Sequence, residues 1–161
     1  HHPDVLVALD VTASRHPLQA VNPGWSRYET LTYSPGVRAG RTLYMSGFAA
    51  LDMETQQALH PGDLAAQAEV VYQTIRRMLD HAGLGPENLL STIEFCVASA
   101  LPQYRVVAPV RERLLSPPWP ASTGAICQGL LREEFLLEVF PIALYPEPGE
   151  TAAPGESGEA R

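Results

Sequence analysis

Lysine is absent from the 161 residues, and all eleven basic side chains are arginine. A lysine Schiff base is thereby excluded, and with it ordinary pyridoxal-phosphate and class I aldolase chemistry. A Walker-A phosphate loop, whose lysine is indispensable, is excluded as well. Cysteine is scarce: Cys96 and Cys127 stand alone and far apart, too few for a disulfide framework or a zinc site. Positive charge is also short, since eleven cations against eighteen acids leave −7. Broad binding to nucleic acid or to an anionic membrane needs a basic surface, so neither partner is expected. Apolar runs fall far short of the ~20 residues of a membrane span. With no metal cluster and no nucleotide motif in the sequence, no metal and no cofactor are expected. No secretory signal is visible, and a reducing cytoplasmic setting is the expectation.

What is present reads as one globular domain. Apolar residues make up 45% and charged residues 18%, and a chain this long buries about 70% of its unfolded surface. Residues 1–27 read as an N-terminal arm with a β-like run at Val5–Val11, residues 28–145 as the domain, and residues 146–161 as a flexible tail. The tail holds Pro146, Pro148, Gly149, Pro154, Gly155 and Gly158 and no large apolar residue, so it has little to bury.

Within the domain, Thr30–Tyr33 reads as a short strand, followed by a turn at Ser34-Pro35-Gly36. Val37–Ala50 reads as strand with a bulge or hairpin at Gly40-Arg41, and Leu51–Gly62 as loop. Asp63–Ala82 is the clearest helix. Asp63 is a good N-cap, Leu64, Ala68, Val71, Ile75, Met78 and Leu79 form one apolar stripe, and Gly83 ends it. Thr92–Ala98 alternates, with Ile93, Phe95 and Val97 on one face and Thr92, Glu94 and Cys96 on the other. Pro102–Leu115 reads as a second helix weakened or kinked by Pro109. Ser116–Pro120 is a stiff connector, and Ala121–Leu131 and Phe135–Leu144 are strands joined by a turn at Arg132-Glu133-Glu134. The order is ββαβαββ: an α+β protein with a single mixed sheet and two helices on one face. The other face is left bare and is expected to carry Thr92, Glu94 and Cys96. Self-association is the simplest way to cover it.

The ordered set of short motifs resembles the RidA/YjgF family of reactive-intermediate (enamine/imine) deaminases, also labelled L-PSP endoribonuclease-like. The resemblance runs through Tyr33-Ser34-Pro35-Gly36-Val37, Leu43-Tyr44-Met45-Ser46-Gly47, Leu51-Asp52 and Gly62-Asp63-Leu64-Ala65-Ala66-Gln67. It continues through Ala82-Gly83, Pro120-Ala121 and Leu137-Glu138-Val139. It implies a chorismate-mutase-like fold, a homotrimer whose bare faces form an inner barrel, and clefts between subunits that take a small-molecule metabolite. The departure is at the penultimate strand. Where the family has Pro-Ala-Arg-Ser/Thr, this chain has Pro120-Ala121-Ser122-Thr123, and Thr123 holds the arginine's place fifteen residues before Glu138. A threonine hydroxyl does not replace a guanidinium that clamps a carboxylate bidentately. Ala108 stands where the family often has asparagine.

The resemblance makes Glu138 the candidate to hold or activate a water, and Tyr33 a hydrogen-bond donor at the cleft. Their alternatives are a strand glutamate satisfied locally and an ordinary packing tyrosine. Ser122 and Thr123 are candidates to bind a substrate carbonyl or hydroxyl, or else cap local backbone. Cys127, on Thr123's face, lines the cleft, acts as a nucleophile or is a plain buried thiol, and Cys96 has the same alternatives. Trp119 walls the cleft or anchors the connector. Glu94 is a possible second acid–base partner for Glu138 across one sheet face. Arg111 and Arg113 are alternative cations or solvated helix-surface residues, and His60 and His81 face solvent. The expected function is hydrolysis of an imine or enamine other than a typical 2-imino acid. The alternative is a metabolite-binding trimer that has lost catalysis. A ribonuclease is disfavoured by the acidic charge and by the lack of a general-base histidine pair.

Overall fold

The computed structural model describes residues 11–147. Most of the run at Val5–Val11 and nearly all of the tail lie outside the described residues. One sheet is built from β1 (Leu18–Val21), β2 (Gly36–Ala39), β3 (Thr42–Met45), β4 (Phe48–Ala49), β5 (Leu89–Val97), β6 (Ala121–Cys127) and β7 (Leu137–Leu144). Two helices, α1 (Leu64–His81) and α2 (Val107–Leu114), complete it. The strand order is β1-β2-β3-β7-β5-β6, with the short β4 also on β7. All pairs are antiparallel except β5 and β6. A parallel pair needs a crossover, and α2 supplies it.

The hairpin of β2 and β3 turns at Gly40-Arg41, where Gly40 takes a φ of 62° that glycine adopts without penalty. The first helix starts where its cap places it: the Asp63 carboxylate accepts from Ala66 N at 3.0 Å. Its stripe of Leu64, Ala68, Val71, Ile75, Met78 and Leu79 is fully buried with Leu43, Phe48, Leu137 and Val139 of the sheet. Pro109 does not kink α2. It lies in the helix's first turn, where a missing N–H costs no hydrogen bond, and a 3-10 segment, Leu101–Val106, leads into it.

Two expectations change. Thr30–Tyr33 is not a strand, because Leu18–Val21 already fills the free edge of β2. The chain before it is curled instead. The Asn22 side chain accepts from Trp25 N at 2.9 Å, Trp25 plugs the core against Phe48, and Ser26–Glu29 forms one 3-10 turn.

The sheet faces are also the reverse of the expected ones. Thr92, Glu94 and Cys96 point under the helices and are buried. The bare face is the apolar one, with Ile93 44%, Phe140 39% and Tyr44 36% exposed. Register opposes Glu94 to Val139 and Phe95 to Glu138, so Glu94 and Glu138 lie on opposite faces and form no carboxylate pair. The reversal has a chemical cause. Glu94 is wholly buried, and donors converge on it from the helical layer: Tyr72 Oη at 2.6 Å, Tyr104 Oη at 2.5 Å and Arg111 Nη1 at 2.8 Å. Ser122 Oγ donates at 3.3 Å and itself accepts from Arg111 at 3.1 Å. Burial and the adjoining Glu94 push the Tyr72 and Tyr104 phenols well above their ordinary values, so both remain donors. Arg111 is therefore not a solvated helix-surface cation, whereas exposed Arg113 pairs with Glu69.

A buried charge pair adds little net stability over an apolar core, but removing one member strands the other. Glu94→Gln is expected to lower the unfolding free energy by about 3 kcal/mol, read by urea denaturation. A loss below about 1 kcal/mol would show that the cluster does not anchor α2 to the sheet.

Candidate functional site

On the bare side of the sheet, the end of β7 and three loops enclose a cleft of about 280 Å³. Glu138 and Tyr33 both line it. Glu138 faces it because β7 alternates: Leu137 and Val139 enter the core, and Glu138 points the other way, level with Ala49 and Phe95. Gly47 makes room for the carboxylate. A Cβ built there would overlap Glu138 Oε1 and lie 2.6 Å from Phe140 Cζ, so a larger residue would push these two side chains aside. Burial raises the Glu138 carboxyl above its ordinary value. Among the described residues, no side chain or backbone group hydrogen-bonds or ion-pairs with it.

Tyr33 stands at the mouth, half exposed, its ring edge-on to Tyr28 with centroids 5.8 Å apart. Its oxygen accepts a long hydrogen bond, 3.4 Å, from Arg27 Nη2. The phenolic hydrogen is left free to donate into the cleft. Tyr28 is half-buried beside it, and that burial raises its phenol.

The opposite wall is the loop between β6 and β7, with exposed Leu131 and buried Phe135. Buried Gln67 of α1 ties this loop down. Its amide donates to Glu134 O at 2.7 Å and to His60 O at 3.2 Å, and its carbonyl accepts from Leu136 N at 2.8 Å. Arg132 Nη1 donates to Gln56 O at 2.7 Å, joining the same loop to the one before α1.

The remaining candidates are elsewhere in the chain. Ser122 belongs to the Glu94 cluster and, with Trp119 and Arg111, lines a second hollow of about 370 Å³ beside α2. Thr123 lies on the bare face of the edge strand β6, with β5 between it and β7, whereas Cys127 at the strand's end is partly buried and packs against the core. Two strand spacings, about 10 Å, thus separate Thr123 from β7 within one chain. The Cys127 thiol approaches Cys96 O at 3.6 Å, and burial raises the Cys96 thiol. His60 and His81 are exposed, and among the described residues no group of His, Cys, Asp or Glu is placed to hold a metal.

Sequence reasoning missed Arg27 and Tyr28, which it placed at the boundary between arm and domain. A signal was available. Asn22-Pro23-Gly24 before Trp25 is turn chemistry followed by a core aromatic, which pins the next residues to the body of the fold.

Comparison with known proteins agrees with the architecture. The family described as Endoribonuclease L-PSP matches residues 27–145. The 3-aminoacrylate deaminase RutC of Acinetobacter baylyi is 41% identical over 51 residues, a segment covering 32% of this chain and 40% of that relative. The chain therefore matches well under half the length of that protein. RidA from the Antarctic bacterium Psychrobacter sp. superposes with a TM-score of 0.63 at 27% identity, over 71% of this chain and 89% of that one. A Pseudomonas aeruginosa protein of unknown function gives 0.69 at 25% identity, over 80% and 92%. With the family model spanning residues 27–145, most of the chain, the chain belongs to the L-PSP endoribonuclease family, the RidA/YjgF family.

Proposed function

We propose that the protein hydrolyses a small imine or enamine at the Glu138 cleft, releasing ammonia and leaving a carbonyl compound. The observation that carries this reading is Glu138 itself: a half-buried carboxylate without a protein partner among the described residues, beside a glycine, in a cleft that Tyr33 also lines. The short match to a 3-aminoacrylate deaminase supports the reaction class.

The chemistry needs little more than positioning and one proton carrier. Glu138 takes a proton from a bound water as its oxygen attacks the C=N carbon. The C–O bond forms and the π pair moves to nitrogen, which gains a proton. The resulting carbinolamine then loses ammonia: the C–N bond breaks, its pair leaves with nitrogen, and Glu138 relays the proton from the hydroxyl. A carboxyl raised by desolvation suits both directions of transfer better than an ordinary one. Tyr33 donates to the substrate and orients it.

Threefold self-association completes the site in this reading. It would cover Ile93, Phe140 and Tyr44 and bring β6 of one copy to the cleft of the next. Thr123 of that neighbouring copy would then line it. Because β6 offers Thr123 and no charge there, a carboxylate held from β6, as in a typical 2-imino acid complex, is not the expected binding mode.

Glu138→Gln is expected to slow imine clearance by about 10² or more. Imines generated by amino-acid and amine oxidases, with semicarbazide trapping of the survivors, provide the assay. Unchanged turnover would defeat the reading. Binding of a metabolite that is never consumed would favour the non-catalytic alternative.

The same residue gives a pH prediction. Its pKa is higher folded than unfolded, so its contribution to stability is full below the unfolded value and is lost as pH rises through the folded one. Glu138→Gln should therefore melt at the same temperature as wild type or slightly higher at neutral pH, with the advantage vanishing in acid. A markedly lower neutral Tm would mark Glu138 as structural.

For the assembly, sedimentation equilibrium should give a trimer at micromolar concentration, and Ile93→Asp should give a monomer. A monomeric wild type would contradict the threefold site.

A further inference from the structure

Among the described residues, Arg27 is the only cation lining the Glu138 cleft. Its position follows from the Asn22–Trp25 turn and the 3-10 segment Ser26–Glu29, which carry it up beside the two tyrosines. The guanidinium lies 5.7 Å from the Tyr28 ring centroid, and one of its nitrogens makes the long 3.4 Å bond to Tyr33. Among the described residues it has no acidic partner: the ion pairs of Arg41, Arg111 and Arg113 leave Arg27 out. A half-buried guanidinium with donors to spare, in a cleft whose only acid is Glu138, is an anion-recognition group.

We infer that Arg27 binds the carboxylate of the substrate, so that the site takes an anionic imine or enamine held from the N-terminal side of its own subunit rather than from β6. The inference rests on the Glu138 cleft being the substrate site, but not on the chemistry done there. It reverses the consequence of the Thr123 position. The charge missing from the edge strand is supplied from a different element, and the bound anion is turned accordingly. The Tyr28 ring and the Tyr33 hydroxyl both lie against the guanidinium, and arginine's planar fork favours bidentate contact with a carboxylate over loose attraction of any anion. Arginine's charge also offsets the cost of bringing an anion into a cleft that contains Glu138.

The test uses the full chain and two probes of one skeleton: pyruvate and its methyl ester, which lacks the charge. Calorimetric titration of wild type is expected to show pyruvate binding more tightly than the ester. Arg27→Gln should weaken pyruvate about ten- to a hundredfold and leave the ester unchanged, with Arg27→Lys in between. Glu138→Gln should keep or tighten pyruvate binding, because it removes a like charge. Equal pyruvate affinity in wild type and Arg27→Gln would overturn the inference, as would failure of wild type to prefer pyruvate over its ester. Arg27-dependent pyruvate binding in a protein that clears no imine would sustain the inference while removing the deaminase reading. Imine clearance with an unchanged KM for 2-imino acids in Arg27→Gln would do the reverse.

Discussion

A carboxylate with no exposed atom must be answered by donors, and the answer to Glu94 organises this fold. Its partners come from α1, from the 3-10 segment before α2, from α2 and from β6. Each is held at hydrogen-bond distance by the others, so the crossover from β5 to β6 has one docked position. The cluster explains which face of the sheet the helices cover. Had the apolar alternate residues of β5 faced the helices, Glu94 would have been turned to the open side and the two tyrosines and Arg111 would have lost their acceptor. Burying a charge pair contributes little net stability. Here it ties α1, α2, the 3-10 segment before α2 and β6 to one carboxylate of β5.

With the polar demands of the helical side met, the other side of the sheet is free for chemistry. It carries the exposed apolar strip of Tyr44, Ile93 and Phe140, and at the start of β7 it carries Glu138, which has no partner among the described residues. The two acids of the central strands have opposite fates, although they lie on neighbouring strands one residue out of register. Glu94 is saturated with donors and serves architecture. Glu138 is desolvated but unanswered among the described residues, and its carboxyl is raised accordingly. Gly47 below it and the Gln67-tethered loop beside it keep the cleft open from both sides.

The helix over Leu64–His81, the hairpin at Gly40-Arg41 and the strand through Phe95 were legible from local pattern, because capping, glycine placement and alternation are local physics. The ordered motifs made the family legible too. Thr30–Tyr33 was misread for a non-local reason: its composition suits a strand, but the sheet edge it would need is held by Leu18–Val21. Arg27 escapes local pattern reading because the turn at Asn22-Pro23-Gly24 and the core aromatic Trp25 signal that the chain returns to the body of the fold, but not which cleft the next residues reach.

The sequence by itself determined the chemistry available: no lysine, two separated thiols, and acids placed on alternating strands. It also determined the order of elements from the β2–β3 hairpin onward, since hydrophobic period and turn residues act over a few positions. Only the tertiary structure decided which alternating face would be covered, and so that Glu94 is an anchor and Glu138 a free carboxylate. It likewise decided that Ser122 serves the anchor and that Arg27 joins the cleft. Alternation states that two faces differ, but which one is buried depends on whether donors from distant helices arrive to satisfy it. That is a property of the packed chain rather than of any one segment.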